Sequence, residues 1–294
     1  MTQPVEFLAI RPHPDDESSA TGGLLARYHA EGRRTAVITC TGGEEGEIHD
    51  SDLVYEEAFP RLAEIREREL RAACEILGVS ELRLLGYRDS GMVDTEPNNH
   101  PDAFMRVDLD VAGARVAALI RDLRPSVIVT ENDHGGYGHP DHIMCHHVTV
   151  RGAELAADPS ANVAGEPWAS ARLYALTTVF EGWEEVVAMM KDEQLDTTEL
   201  EEMIARREEW GIPKMAAVDV TAAIDVSDYV ETQRAALVAH RTQIPVDSFF
   251  VRFPLHIARR AFRTASLTRL TPAPAPGERA ADLFFRPELT PNRH

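Results

Sequence analysis

The sequence is poor in cysteine, in positive charge and in long apolar runs. Three cysteines, Cys40, Cys74 and Cys145, are scattered over 294 residues with no C-x-x-C pair. That usage argues against a disulfide framework or a cysteine-held zinc cluster and suits reduced thiols in a cytoplasmic protein. Lys and Arg together number 30 against 49 Asp and Glu, for a formal net charge of −19. A field of that sign repels nucleic acid and anionic membrane, so neither is expected as a main partner. No stretch approaches the ~20 apolar residues of a membrane span. Residues 1–10 carry no basic segment, so no signal peptide is expected there. A phosphate-cradling loop is also missing. Residues 42–47 (GGEEGE) lack both the G-x-G-x-x-G spacing and a P-loop lysine, and their three carboxylates would repel a phosphate.

What is present is the alternation of an α/β protein. Hydrophobic residues make up 44% and charged residues 27%, a balance that suits a soluble chain with a sizeable core. Short β-branched runs predict strands at residues 5–10, 34–39, 82–85 and 126–130. Apolar residues at 3.6 spacing predict helices at 22–31, 61–77, 107–123 and 140–156. Strand and helix in turn imply a Rossmann-like parallel sheet flanked by helices. With the strand order 3-2-1-4-5, strands one and four are neighbours, and the site belongs at their C-terminal ends.

Residues 1–160 are expected to form this core. A smaller, mixed C-terminal region, 161–270, should complete the substrate pocket, with strands at 172–179 and 215–220 and helices at 182–192, 198–210 and 226–240. A Pro-rich tail, 271–294, should be extended or mobile. Phe284 and Phe285 in that tail suggest packing against a second subunit, hence a homo-oligomer.

Two segments that follow predicted strands carry the chemistry. One is Arg11-Pro12-His13-Pro14-Asp15-Asp16-Glu17; the other runs from Glu131 to His147 and holds 5 of the 12 histidines. Alone, the first suits a turn with a capping Asp and the second a helix start with Pro at its first position. Together, after strands one and four, they place two histidines and a carboxylate where an open zinc site would sit. Zinc lowers the pKa of its water to about 7, and a neighbouring carboxylate can take the proton. In an extended turn Asp15 and Asp16 face opposite ways, so one can serve the metal and the other the substrate. A non-haem iron oxygenase, a two-metal phosphoesterase and a non-catalytic metal sensor are rivals. The oxygenase usually shows His-x-Asp/Glu, and the phosphoesterase needs more carboxylate ligands. A sensor has no use for a spare Asp15.

With HPDDE after the first strand, TCTGGEEGEI at 39–48, RDSGM at 88–92 and GGYGHPDH at 135–142, the chain resembles the LmbE-like, or PIG-L-like, zinc-dependent N-deacetylases. The resemblance covers roughly residues 5–157 and continues more faintly to residues 240–243. It implies zinc, with Fe(II) as the other candidate, held by His13, Asp16 and His142. It further implies Asp15 as general base and His139 as the group that stabilises the oxyanion or protonates the leaving amine, with Asp141 orienting the His139 ring. Tyr137 would reach the substrate carbonyl, and Arg66, Asp89 and Glu47 would grip sugar or inositol hydroxyls. The implied partner is a small amino sugar. Two branches of the family fit. One removes the acetyl group of N-acetylglucosaminyl-inositol; the other cleaves the cysteinyl-glucosamine amide of mycothiol S-conjugates. RDSGM and Ala20, where the amidase branch carries Lys, favour the first. Ser18-Ser19, residues 74–78 and residues 240–244 with Phe249-Phe250 look more like the second.

Overall fold

The computed structural model describes residues 4–169, 171–177, 183–206, 220–245 and 247–284. Its centre is a seven-stranded sheet in the order β3-β2-β1-β4-β5-β7-β6. The first four strands are β1 (Phe7–Arg11), β2 (Thr35–Thr41), β3 (Glu81–Tyr87) and β4 (Val127–Thr130). With β5 (Arg172–Leu176) they run parallel, and β1 and β4 are paired at the centre as the strand order requires.

Period-2 alternation sends Phe7, Ala9, Val37, Val127 and Val129 to one face of the sheet. There they meet Leu24, Leu25 and Tyr28 of α1 (Asp16–Ala30) and Leu70, Ala73 and Leu77 on and just after α2 (Leu62–Ile76). Leu8, Ile10, Ala36, Ile38 and Ile128 face the other way, onto α3 (Leu109–Leu123) and α4 (Pro140–Ala157). Asp108 caps α3 by accepting the Asp110 and Val111 amides. Both faces of β1, β2 and β4 are covered, as βαβ crossovers demand, while the edge strand β3 stays half-exposed.

Helix α1 begins six residues before the periodicity suggests. Its first turn, Asp16-Glu17-Ser18, is buried but polar, so it shows no apolar repeat.

Beyond α4 the rules change. The helices α5 (Trp183–Asp192), α6 (Thr198–Arg206) and α7 (Val230–Ala239) follow the sequence expectation in part. The strand expected at 215–220 lies outside the described residues except for Val220. Two strands were not anticipated: β6 (Ala222–Asp225) and β7 (Thr264–Thr271), which join the sheet antiparallel. The tail is not free over its described part. Ala280 exchanges backbone hydrogen bonds with Thr221 and Ala223, and Leu283 is fully buried. Phe284 packs edge-on against Tyr28 at 4.8 Å and beneath Arg33, so it covers part of its own chain. Phe285 lies outside the described residues. Among the described residues no helix is long and apolar enough to cross a membrane.

Candidate metal centre and active site

The chain leaves β1 through Pro12-His13-Pro14 and enters α1 at Asp16; it leaves β4 at Glu131 and enters α4 at Pro140. Both exits open at the same end of neighbouring strands, so His13, Asp16 and His142 converge. Their ligand atoms lie within 4.8 Å of one another and all three residues are buried. Asp16 Oδ2 sits 3.3 Å from His13 Nδ1 and 3.6 Å from His142 Nε2. It also accepts the His13 backbone N–H at 2.9 Å.

Each imidazole has a carboxylate on its far nitrogen. His13 Nε2 lies 3.2 Å from Asp141 Oδ2, and His142 Nδ1 lies 3.3 Å from Glu131 Oε1. Carboxylates in this position fix the tautomer and raise the basicity of a metal-ligating histidine. Asp141 is itself held by the Ser90 N–H at 2.9 Å, and Glu131 is paired with the buried Arg11. Burial opposes charge on His13, but Asp89, Asp141 and Asp16 outweigh it and push its pKa well up. Burial likewise opposes ionisation of Asp16, yet His142, His13 and Arg11 hold its carboxyl well below the usual range. Two imidazoles and a carboxylate turned inward, each anchored from behind, are a donor set that fits zinc.

Asp15 stands beside this set in a backbone conformation rare outside glycine, φ 118°. Its carboxylate accepts from Arg66 Nη2 at 3.1 Å, and burial, opposed by Arg66 and reinforced by Asp16, raises its pKa to about 6. Arg66 was expected on sugar hydroxyls. It is instead buried in the wall, with Nη1 on the Gly43 carbonyl and Nη2 on the Pro14 carbonyl as well as on Asp15. Gly43, at φ +68°, leaves room for this guanidinium, since a Cβ there would lie 2.3 Å from Arg66 Nη1. Gly43 and Gly46, where a Cβ would lie 2.6 Å from the same Nη1, therefore serve the arginine.

His139 closes the opposite side, its ring 4.7 Å from that of His13. Its Nδ1 accepts the Asp141 backbone N–H at 3.1 Å, so in the neutral ring the proton sits on Nε2. Burial, then His13 and His142, push its pKa down to about 3, which keeps the ring neutral. Asp141 meets the His139 ring through its backbone amide, while its carboxylate faces His13 and Ser90.

Asp89 belongs to the centre, buried and 3.6 Å from His13 Nε2; with His13 and His139 it forms a second convergent group. Tyr137, 46% exposed, stands at the rim 5.5 Å from the His142 ring. The Glu47 side chain is 86% exposed and pairs with His49, so it reaches solvent rather than the pocket floor. His146 turns away from the centre, its Nδ1 2.8 Å from the Glu131 carbonyl.

Residues 8–153 match the PIG-L family, GlcNAc-PI de-N-acetylase. A 1D-myo-inositol 2-acetamido-2-deoxy-alpha-D-glucopyranoside deacetylase of Thermomonospora curvata is 42% identical over 290 residues, 95% of each chain. The protein of the same name from Thermobifida fusca is 43% identical over 249 residues, 82% of this chain and 84% of its own. The chain belongs to the PIG-L family. Among solved structures, the N,N'-diacetylchitobiose deacetylase of Pyrococcus horikoshii aligns over 90% of this chain and 83% of its own with a TM-score of 0.60. At 18% identity that likeness is one of fold.

Within this PIG-L site, sequence reasoning missed Arg11, Glu131, Glu17 and His240. A signal was available for the first two: charged residues at the last position of a fully buried strand, or directly after it, have no structural reason to be there unless they face a partner.

Proposed function

We propose that the protein is a metal-dependent deacetylase that removes the acetyl group from an N-acetylglucosamine glycoside, N-acetylglucosaminyl-inositol in particular. The carrying observation is the convergence of His13, Asp16 and His142, each histidine backed by its own carboxylate, beside a separate Asp15. The names of relatives that share about two fifths of their residues over most of the chain support the substrate and do not favour the amidase reading.

His13, Asp16 and His142 would hold the cation, and their nitrogen and oxygen donors favour zinc, with Fe(II) second. When bound, it supplies a Lewis acid for the amide carbonyl and an acidified water. Asp15, fixed by Arg66 and ionised at neutral pH, takes the proton of the attacking water. His139 donates its Nε2–H to the oxyanion that develops on the carbonyl. The proton on Asp15 then passes to the departing amine, leaving acetate and a free amino sugar. Tyr137 at the rim and Asp89 beside His13 are the side chains we assign to the substrate; Arg66 positions the base.

The C-terminal region completes the pocket in the same domain, a reading supported by the single continuous sheet. Cys40, Cys74 and Cys145, all free and buried, suit the reducing cytoplasm.

The test is amine release from N-acetylglucosaminyl-inositol by the zinc-loaded protein, run beside a bulky mycothiol S-conjugate. Preference for the acetyl sugar is expected; preference for the conjugate would replace the deacetylase reading with the amidase one. Asp15→Asn should retain the metal and lose about 10²- to 10⁴-fold in kcat. A near-native rate in that variant would remove Asp15 from its role.

A further inference from the structure

Four consecutive residues after α7 tie the C-terminal region to the catalytic half. His240 Nε2 meets Glu17 Oε1 at 2.7 Å. Arg241 Nη2 reaches Asp50 and Asp52 at 3.1 and 2.8 Å. Thr242 donates its N–H and its hydroxyl to Glu69 at 2.9 and 2.6 Å. Gln243 Nε2 donates to the Glu47 carbonyl at 2.8 Å. The last three of these residues hold a helix and a loop, whereas the first reaches Glu17, beside Asp15.

Glu17 has no exposed surface and stands next to the active-site acids. Its Oε2 accepts the backbone N–H of Asp15 at 2.9 Å, the residue whose φ of 118° needs a local hold. Its Oε1 accepts from the Ser18 hydroxyl at 2.5 Å and from His240. Ser18 is on the same helical turn and moves with Glu17. Among the described residues, His240 is therefore the only donor to this carboxylate from outside that turn.

Asp15 is thus fixed at two points: Arg66 grips its carboxylate, and Glu17 grips its backbone. A base displaced by about 1 Å can lose about 10² in rate, so the second grip bears on turnover. A buried carboxylate that loses a donor reorients or admits water. We propose that His240 is a positioning residue for the Asp15 base, acting through Glu17 to lock the Asp15 backbone and so aim its carboxylate. By this route the C-terminal region makes the catalytic half competent.

The inference rests on the assignment of Asp15 as base, and one arm of its test is independent of any substrate. His240→Leu fills the space without a donor, and His240→Gln returns an N–H near the position of Nε2. The backbone amide of Asp15 is followed by hydrogen exchange in NMR spectra, and turnover of N-acetylglucosaminyl-inositol is measured with metal content. His240→Leu should lose protection of the Asp15 amide and about 10- to 100-fold in kcat, with KM within about threefold and one metal retained. His240→Gln should recover most of both.

Unchanged protection of the amide in His240→Leu, or a kcat loss that follows metal loss, overturns the proposal, as does equal damage in both variants. If His240→Leu does not fold, His240→Gln is compared with Thr242→Val. Only the former should then affect the Asp15 amide and kcat, and equal effects would reduce His240 to an anchor of the fold. Lost protection without activity in the wild-type protein would instead count against the substrate reading alone.

Discussion

The two regions of the sheet divide the work differently. From β1 to α4, parallel strands, the inner three buried on both faces, end in polar side chains that meet at one point: His13 and Asp16 after β1, Asp89 after β3, and Glu131, His139 and His142 after β4. After β5 the strands turn antiparallel, and side chains beyond α7, His240, Thr242 and Gln243, grip the first region from outside. The first region holds the groups proposed to react. The second holds the first in shape. Crossover topology explains the contrast, because only parallel strands bring several C-terminal ends to one edge.

Changes in the first region should therefore be read in metal binding and turnover, and they should be the largest. Asp141→Asn and Glu131→Gln each remove the carboxylate behind one histidine. Each is expected to cost about 10- to 100-fold in metal affinity or activity. The pair then separates on stability. Glu131→Gln takes the nearer carboxylate from Arg11, 2% exposed, and leaves it Asp16 at 3.8 Å, so the cost should approach but not reach the about 3–5 kcal/mol of a buried charge with no partner. Asp141→Asn strips no arginine and should unfold nearer the wild-type temperature. Metal titration and thermal melts together test this. Full metal affinity in both variants would mean that the carboxylates behind the histidines are dispensable, and the division of labour would fail at its strongest point.

In the second region the expected signal is in stability and its pH dependence. Burial opposes charge on His240, but Glu17 and then Asp15 outweigh it, against Arg66, and its pKa is raised above the ordinary 6.5. A histidine raised in the folded state contributes stability that is fully present below pH 6.5 and lost as the pH climbs through the raised value. The melting temperature of His240→Gln should accordingly fall furthest below wild type near pH 6. The gap, worth about 1.5–3 kcal/mol for a hydrogen bond to a charged group, should narrow toward pH 9. A gap that does not change with pH would show that His240 acts as a neutral donor at all these values.

The same contrast governs what the sequence made legible. In the first region apolar periodicity located every principal strand and helix, because two-sided burial writes long apolar runs. HPDD and HPDH stood out because clustered imidazoles have no place in a core. The purpose of Arg66 was not legible. In a helix reading Glu64-Ile65-Arg66-Glu67-Arg68-Glu69 it looks like one more surface pair, and only the approach of the loop at residues 42–46 buries it. The φ of Asp15 is likewise invisible in a residue name. In the second region β6 alternates buried and exposed side chains over only four residues, and β7 mixes Ser, Thr and Arg with two Leu three positions apart, so neither separates from loop by pattern. His240 pairs with a residue 223 positions away, and no local spacing encodes that contact.

The smallest effect belongs to the tail, where the comparison reaches its limit. Residues 272–284 lie farthest from the parallel core in sequence, yet Phe284 packs on Tyr28 of α1, edge-on at 4.8 Å, with the Arg33 guanidinium 3.9 Å from its ring centre. An aromatic pair contributes about 0.5–1.5 kcal/mol beyond its buried area, and a partly exposed cation–π contact about 0.5–1 kcal/mol. Phe284→Ala should thus lower the melting temperature by a few degrees, at about 2–4 °C per kcal/mol for a chain of this size. The metal site should be untouched, because Tyr28 is on the last turn of α1 and Asp16 on its first. Sedimentation of the variant beside wild type checks the other reading of these aromatics. An unchanged particle mass with a lowered melting temperature places Phe284 within its own chain, as the contacts with Tyr28 and Arg33 do. A fall in mass would mean that the tail also joins two copies, and the second region would then hold more than the first in shape.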